Sequence, residues 1–283
     1  MLSRSLLFRP RISSRIKVFR RRLSTEKHWV STCDRVDWKL IEKEKDMHNG
    51  WPVWLQQELR SDHAGETGAV HIYKGAISAM KFRGWSSNFI KQTLGINVGC
   101  PYHNLELQPA YSFAQEHMLT EAAHLEAMER LVPSAEQSKL ISLWKVAGFC
   151  LGVLPVLASP YSPVVFFCTI NAVETFVEEH YNGQIRPLER GLLPKSVDSD
   201  LSTEIAAGPY PELLKLLRCC NEDEIHHKEE AKYMASAEGL VYGEGKKRGS
   251  DIWLSETGEK AMKIWASIVG RGSEFAASAA KRF

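Results

Sequence analysis

Apolar residues recur three and four positions apart over four long segments of the chain, a spacing that places them on one face of an α-helix. The predicted helices cover about residues 51–80, 109–131, 163–186 and 211–237. Proline stands in the first turn of each, where its missing N–H costs no helical hydrogen bond. Pro187 is expected to end or kink the third helix. The pattern therefore predicts an all-α fold.

The segments outside these four helices are expected to have other roles in the fold. A stretch from about Trp85 to Gln108 contains Gly95, Gly99 and Pro101 and is expected to be a long connection. Residues 24–50 are expected to be a partly ordered polar lead-in to a single domain that covers residues 51–283. A Gly/Lys-rich linker at about 243–255 precedes a last amphipathic helix, at about 256–281, which is suited to packing or membrane contact.

An uncharged run of 28 residues extends from Val146 to Val173. Its length would allow a transmembrane span, but three prolines divide it. We interpret the run as two apolar helical pieces joined by a Pro-rich turn. The first piece, about residues 138–157, carries Trp144 and Lys145 at its polar edge. That composition favours a segment lying in a membrane interface, and an ordinary buried helix pair is the alternative.

The N-terminus differs in charge from the rest of the chain. Nine of the 36 Lys and Arg residues lie within residues 1–27, with one of the 34 Asp and Glu residues. The Arg- and Ser-rich residues 1–23 are typical of a mitochondrial transit peptide, and a basic tail that binds anionic surfaces is the alternative. The remaining chain is mildly acidic, which argues against nucleic-acid binding. The six cysteines show no framework spacing and suit free thiols.

Acidic and histidine residues interrupt the apolar seams of the four helices. Glu66 is followed 55 residues later by Glu121-x-x-His124, and Glu174 is followed 50 residues later by Glu224-x-x-His227. A carboxylate and an imidazole three positions apart on a helix can reach the same metal ion. A buried carboxylate is costly unless it is paired, so these seams call for cations.

Two helical hairpins, each with one Glu and one Glu-x-x-His, provide the ligand set of a dinuclear carboxylate four-helix bundle. Hard oxygen donors and imidazole suit iron that changes between ferrous and ferric states. The set contains no thiolate, which argues against structural zinc and iron–sulfur clusters. By analogy with such bundles, Glu121 and Glu224 are expected to bridge two metal ions, with Glu66 and Glu174 as terminal ligands.

Two neighbouring acids leave alternatives open. Asp223 and His226 form a competing pair on the fourth helix, but their seam is more polar. The seam of Glu224 and His227 is otherwise apolar, so we predict that this pair binds metal. The other pair is expected to flank the site or to contact its ligands from outside. Asp62, one turn before Glu66, is a candidate acceptor for the N–H of a ligand histidine, or a capping or solvated group.

Four motifs resemble the demethoxyubiquinone hydroxylases of ubiquinone biosynthesis. They are the His-Ala-Gly-Glu box ending at Glu66, Glu121-Ala-Ala-His124-Leu, the His-Tyr-Asn-Gly-Gln-Ile run ending at Ile185, and Asp223-Glu-Ile-His-His227. The resemblance covers about residues 54–242 and departs at the stretches 84–108 and 243–255, which look inserted. It implies a ferritin-like four-helix di-iron bundle with additional membrane-facing and C-terminal helices.

The resemblance also implies a function. The expected activity is hydroxylation of the ring of a polyprenyl demethoxybenzoquinol, the penultimate step to ubiquinone, with two iron ions, dioxygen and NADH. No Gly-x-Gly-x-x-Gly occurs, so NADH would bind at a surface site. Tyr181 is expected to contact the substrate ring or relay electrons, or to be a hydrogen-bonded core tyrosine.

The implied location is the matrix face of the mitochondrial inner membrane. A lipid-binding accessory protein and a biosynthetic complex are the implied partners. A di-iron quinol oxidase and a non-catalytic iron-binding bundle remain the alternatives.

Overall fold

The computed structural model describes residues 31–94, 108–158, 163–194, 204–206, 209–236 and 256–283. The predicted transit peptide and the linker at 243–255 lie outside these residues. Seven α-helices are described: α1 (Trp38–Met47), α2 (Val53–Leu94), α3 (Gln108–Leu131), α4 (Ile141–Ala158), α5 (Val164–Arg190), α6 (Pro211–Ala235) and α7 (Glu256–Arg282). Short 3-10 turns cover Thr32–Arg35 and Ser134–Glu136. The all-α prediction is confirmed, apart from a two-stranded antiparallel ribbon of β1 (Leu192–Pro194) and β2 (Glu204–Ala206).

The four predicted helices form the bundle. Helix α2 packs against α3 and α4, α5 packs against α6, and α7 lies against α2 and α5. Along each bundle helix the buried acidic residues separate two apolar clusters. On α2, for example, Leu59 belongs to one cluster and Tyr73 to the other, with Glu66 between them. The fold therefore places one polar layer across the middle of an apolar interior.

Helices α2 and α4 touch backbone to backbone. A Cβ atom added to Gly148 would overlap the carbonyl oxygen of Gly68, and one added to Gly152 would overlap that of Ile72. Small residues are therefore required where α4 crosses α2. This contact holds the apolar helix α4 against the bundle, although only 22% of its residues are buried.

Two predicted boundaries are wrong. The connection expected from Trp85 begins later, because α2 continues to Leu94 and residues 85–94 contain no glycine or proline. Helix α5 continues through Pro187 to Arg190. A proline this close to the C-terminus removes one helical hydrogen bond, and the helix ends instead at Gly191, whose φ of 64° is a left-handed cap.

The segment predicted as a partly ordered lead-in packs on α6 from Thr32 onwards. The carboxylate of Glu44 accepts hydrogen bonds from the backbone N–H groups of Glu212 (2.8 Å) and Leu213 (3.1 Å). Glu212 in turn accepts one from the N–H of Asp37 (2.9 Å). Because the first N–H groups of a helix lack partners within the helix, Glu44 caps α6 from a distant part of the chain.

Candidate metal centre

The six side chains predicted to bind metal meet in the polar layer of the bundle. Each of them is at most 4% exposed. Helix α2 supplies Glu66, α3 supplies Glu121 and His124, α5 supplies Glu174, and α6 supplies Glu224 and His227. The apolar face of each helix points towards the interior of the bundle. A carboxylate or imidazole on that face therefore also points inward, and the four helices bring these groups together.

The six residues form two overlapping groups of four. One group contains Glu66, Glu121, His124 and Glu224, and the other contains Glu121, Glu174, Glu224 and His227. Within each group, one donor atom from every residue lies within 4.8 Å of the others. Glu121 and Glu224 are common to both groups, which is the position that two bridging carboxylates require. The competing pair does not converge in this way: the side chain of His226 is 65% exposed.

Three of the donor atoms lie close together but form no hydrogen bonds with one another. Nδ1 of His227 lies 3.0 Å from Glu121 Oε1 and 3.3 Å from Glu224 Oε2. None of these three buried atoms has a hydrogen-bond partner among the described residues. Buried polar atoms are normally paired, so three unpaired donor atoms that converge on one point fit a bound cation. The site passes this test for a metal centre.

Burial also sets the charge of the site when no cation is bound. It raises the pKa of both Glu66 and Glu174 well above the usual range, and nearby carboxylates, including Glu121 and Glu224, add to the increase. For His227, burial acts to lower the pKa, but the neighbouring carboxylates of Glu121 and Glu224 outweigh it and raise the pKa to about 9. Protons therefore occupy positions that a metal ion would take over.

An outer chain of contacts fixes the orientation of His124. Its Nδ1 lies 2.9 Å from Glu224 Oε1, while its Nε2 lies 3.2 Å from Asp223 Oδ2. Asp223 also accepts hydrogen bonds from Arg35 Nη1 (3.0 Å) and Thr32 Oγ1 (3.3 Å). With a metal ion bound, Asp223 would accept the proton on Nε2, and Nδ1 would be the metal-facing atom.

Asp62, the candidate for contact with a ligand histidine, lies elsewhere. Its Oδ1 accepts a hydrogen bond from Gln184 Nε2 (2.7 Å) and lies 3.0 Å from His180 Nε2. Asp223, which was predicted to flank the site or to contact a ligand from outside, occupies the outer position on His124. Sequence reasoning missed Arg35, because it lies 188 positions away from Asp223 in a segment expected to be only partly ordered.

Two tyrosines hold the outer glutamates. Tyr181 donates a hydrogen bond of 2.5 Å to Glu66 Oε1, and Tyr73 donates one of 3.4 Å to Glu174 Oε1. Burial raises the pKa of both phenols well above the usual range, so both remain donors. Tyr181 was singled out from the sequence, where a hydrogen-bonded core tyrosine was one interpretation. Tyr73 was not singled out from the sequence, because it lies among the apolar residues of its helix.

A cavity of about 360 Å³ lies among α2, α4, α5 and α7 and reaches the polar layer. Its lining is largely apolar, but Glu66, Glu121, Glu174, Glu224 and Tyr181 also border it. Gly65 and Gly68 of α2 line it as well. An apolar molecule in this cavity would lie directly against the candidate metal ligands.

The outer surface near this cavity is unusually apolar. Large exposed side chains stand on α4 and α7: Leu143, Val146, Phe149, Leu154, Leu157, Ile264, Ile268 and Phe275. Among the described residues, α4 is the one helix long and apolar enough to cross a membrane. Apolar exposure on two neighbouring elements is typical of a surface that meets a lipid or a protein partner.

The fold and the site together define a ferritin-like helical bundle with a buried cluster of carboxylates and histidines that could hold metal. A family model described as ubiquinone biosynthesis protein COQ7 matches residues 102–246, which is half of the chain. The chain belongs to this family, and the resemblance seen in its motifs is confirmed. Five of the six candidate ligands lie within the matched residues; Glu66 precedes them.

Curated relatives carry consistent names. The chain is 26% identical over 208 residues (73% of this chain, 86% of the relative) to the NADPH-dependent 3-demethoxyubiquinone 3-hydroxylase, mitochondrial, of Caenorhabditis elegans. It is 28% identical over 199 residues (68% and 72%) to the 5-demethoxyubiquinone hydroxylase, mitochondrial, of Saccharomyces cerevisiae. It is 33% identical over 148 residues (52% and 57%) to the 3-demethoxyubiquinol 3-hydroxylase of Rhodospirillum rubrum.

Proposed function

We propose that this protein is a monooxygenase that hydroxylates the ring of a polyprenyl demethoxybenzoquinol in ubiquinone biosynthesis. One observation carries the proposal: two four-residue ligand groups share Glu121 and Glu224 beside an apolar cavity. Relatives named as demethoxyubiquinone hydroxylases support the same reaction and the same substrate class.

Two iron ions are the cofactor that this donor set favours. Four carboxylates balance the charge of two ferrous ions, and two imidazoles complete a set without thiolates. Glu121 and Glu224 would bridge the ions, with Glu66 and Glu174 as terminal carboxylates and His124 and His227 binding through Nδ1. When bound, the iron pair supplies the activation of dioxygen and accepts the electrons that the reaction needs.

The chain's own residues prepare the site for a quinol ring. The apolar wall of the cavity, which includes Ile72, Leu151 and Val173, binds the ring and excludes water from it. Tyr181 and Tyr73 hold the carboxylates of Glu66 and Glu174 in place. The phenol of Tyr181 borders the cavity beside Glu66, where it can also contact the ring.

The reductant is proposed to be a reduced nicotinamide dinucleotide. The expectation from the sequence was NADH, whereas the name of the Caenorhabditis elegans relative gives NADPH. Because the chain contains no Gly-x-Gly-x-x-Gly, the dinucleotide would bind at the surface. We favour NADPH on the strength of that name.

The proposed location is the matrix face of the mitochondrial inner membrane. Two relatives are named as mitochondrial, and residues 1–23 have the composition of a transit peptide. The exposed apolar side chains of α4 and α7 would enter the membrane interface, and the polyprenyl tail would pass between bilayer and cavity along α4. A lipid-binding accessory protein and a biosynthetic complex would meet the protein there.

Quinone analysis tests this function. Cells that lack their own demethoxyubiquinone hydroxylase would receive the wild-type chain, Glu174→Gln, or the matched control Glu179→Gln, which alters an exposed acid on the same helix. We expect ubiquinone with the wild type and the control, and accumulated demethoxyubiquinone with Glu174→Gln. Unchanged quinones in the Glu174→Gln cells would refute the proposal. Oxygen consumption without ring hydroxylation by the wild type would favour a quinol oxidase.

A further inference from the structure

Three polar side chains form a cluster beside the metal centre, between α3 and α6. They are His117, His226 and Glu230, and we call them the α3–α6 cluster. His117 Nε2 lies 3.1 Å from Glu230 Oε2, and His226 Nδ1 lies 3.9 Å from the same oxygen. The ring of His117 lies 4.1 Å, centroid to centroid, from the ring of the candidate ligand His227. The cluster therefore leads, contact by contact, from His226 to the metal centre.

Exposure falls steadily along this path. The side chain of His226 is 65% exposed, that of Glu230 is 12% exposed, that of His117 is 6% exposed, and that of His227 is 3% exposed. Imidazole and carboxylate groups thus extend from solvent to a ligand of the buried site. A structural tie between α3 and α6 would need only the buried pair of His117 and Glu230.

The cavity gives a metal ion a less polar path, although Asp62 and His180 also line it. Its lining is mainly apolar, and its described lining does not include the three residues of the cluster. Moving a divalent ion out of water into apolar surroundings is expensive unless ligands replace the water. Glu116, next to His117 on α3, adds a second carboxylate. Burial raises the pKa of Glu116, and the nearby charge of Glu230 raises it further, so the two carboxylates lie close together. The α3–α6 side is therefore the more favourable approach for a cation.

We propose that the α3–α6 cluster is a loading site, which captures a divalent metal ion at His226 and Glu230 and passes it by His117 to His227. Two imidazoles and one carboxylate form a ligand set that ferrous, cobaltous and zinc ions all accept. The exposed His226 can turn towards an ion held by Glu230. The inference rests on the proposed metal centre and assigns to it a route of entry.

The rate of metal loading tests this role separately from metal binding at equilibrium. Full-length protein stripped of metal by a chelator would be mixed rapidly with Co²⁺ under anaerobic conditions, and the visible absorption of bound cobalt followed in time. The variants are His226→Ala and the double variant His226→Ala/Glu230→Gln. Glu229→Gln and Lys232→Ala are matched controls, since both residues are exposed on α6 and pair with each other at 3.7 Å.

Loading by the double variant should be slower by about tenfold, which corresponds to about 1.4 kcal/mol of barrier. His226→Ala alone should slow loading by a smaller factor, and both controls should load at the wild-type rate. All variants should reach the same final cobalt content. Equal rates for the wild type and the double variant would overturn the loading role. A lower final content in the double variant would also overturn it, because the cluster would then hold metal permanently or support the fold.

The wild-type control separates this inference from the proposed function. If the wild type binds no cobalt at equilibrium, the proposed metal centre itself fails. If the wild type fills its site and the variants fill theirs equally fast, only the route of entry fails.

Discussion

Tyr181 donates a hydrogen bond of 2.5 Å to Glu66 although the two residues are 115 positions apart on different helices. Tyr73 makes the reciprocal contact, at 3.4 Å, to Glu174. Each tyrosine follows the glutamate of its own helix by seven residues and binds the glutamate of the other. The two halves of the bundle therefore repeat the same contact, and each half positions a buried glutamate of the other half.

Replacing Tyr181 with phenylalanine should weaken metal binding in the half of the site that contains Glu66. The ring would remain, but Glu66 Oε1 would lose its donor, a loss that typically costs about 1–3 kcal/mol for a buried group. Titration of the metal-free protein with Co²⁺ should show one of two binding steps weakened. Tyr73→Phe should affect the other step, and less strongly because its hydrogen bond is longer. Two unchanged binding steps in Tyr181→Phe would contradict this role.

Arg35 should matter to the metal centre despite its distance along the chain. Removing it by Arg35→Ala frees Asp223 and, through Asp223, the ring of His124. Loss of such an outer partner commonly lowers metal affinity by about 10- to 100-fold. Competition with a coloured chelator measures that affinity. Arg35→Lys should restore part of it.

Arg218→Ala provides the control for Arg35, because Arg218 forms an ion pair with Glu189 that is exposed on both sides. That variant should bind metal like the wild type. An Arg35→Ala protein with wild-type affinity would show that the contact with Asp223 does not position His124.

The stability of the metal-free protein should fall as pH rises from about 7 towards 9. The folded-state pKa values of Glu66 and Glu174 are raised by burial, and that of His227 is raised to about 9 by its carboxylate neighbours. Groups with raised pKa values stabilise the folded state while protonated, and this contribution is lost as pH passes through the folded-state value. Thermal unfolding at several pH values measures the trend. Bound metal should reduce it, and calorimetry in two buffers should detect protons released on binding. Binding without proton release would refute this account.

The crossing of α2 and α4 should not tolerate a larger residue. Gly152→Ala places a methyl group against the carbonyl oxygen of Ile72, and such overpacking typically costs about 1–3 kcal/mol. Gly183→Ala is the control, because a Cβ atom there meets nothing within 4 Å. It should stabilise α5 by up to about 1 kcal/mol. Chemical denaturation compares the two, and equal stability would show that α4 moves freely to make room.

The exposed apolar side chains of α4 and α7 should mediate membrane binding. Val146→Glu should reduce co-sedimentation of the protein with vesicles of mitochondrial lipid composition. Leu119→Glu is the control, since Leu119 is similarly exposed but stands on α3. Equal loss of binding in both variants would mean that the effect is not specific to this surface.

Sequence reasoning identified the residues of the candidate metal centre because they break a strong rule. Carboxylates and histidines on apolar seams are costly, so Glu66, Glu121, Glu174 and Glu224 stood out, and the apolar neighbours of Glu224 gave the register on α6. The outer contacts could not be found in this way. Arg35 lies in a polar segment with no periodic signal, and its partner is set by tertiary packing. Tyr73 fits an apolar stripe without conflict, although its spacing from Glu66 matches that of Tyr181 from Glu174.

Boundaries were the weaker part of the prediction. Pro187 marked a helix end by local rules, but a proline in the last turn interrupts little. Helix α2 extends to Leu94 because residues 85–94 contain no glycine or proline. The apolar periodicity that predicted this helix ends near residue 80. Gly84 and Pro187 both disfavour a helix, but the helix around each of them continues.

Metal stoichiometry tests the central claim most directly. Wild-type protein reconstituted with ferrous iron under anaerobic conditions should hold two ions per chain by elemental analysis. Glu224→Ala should hold none or nearly none, because Glu224 belongs to both ligand groups, whereas Asp223→Ala should retain part of its iron. A wild type that binds one ion, or a Glu224→Ala variant that still binds two, would contradict the account.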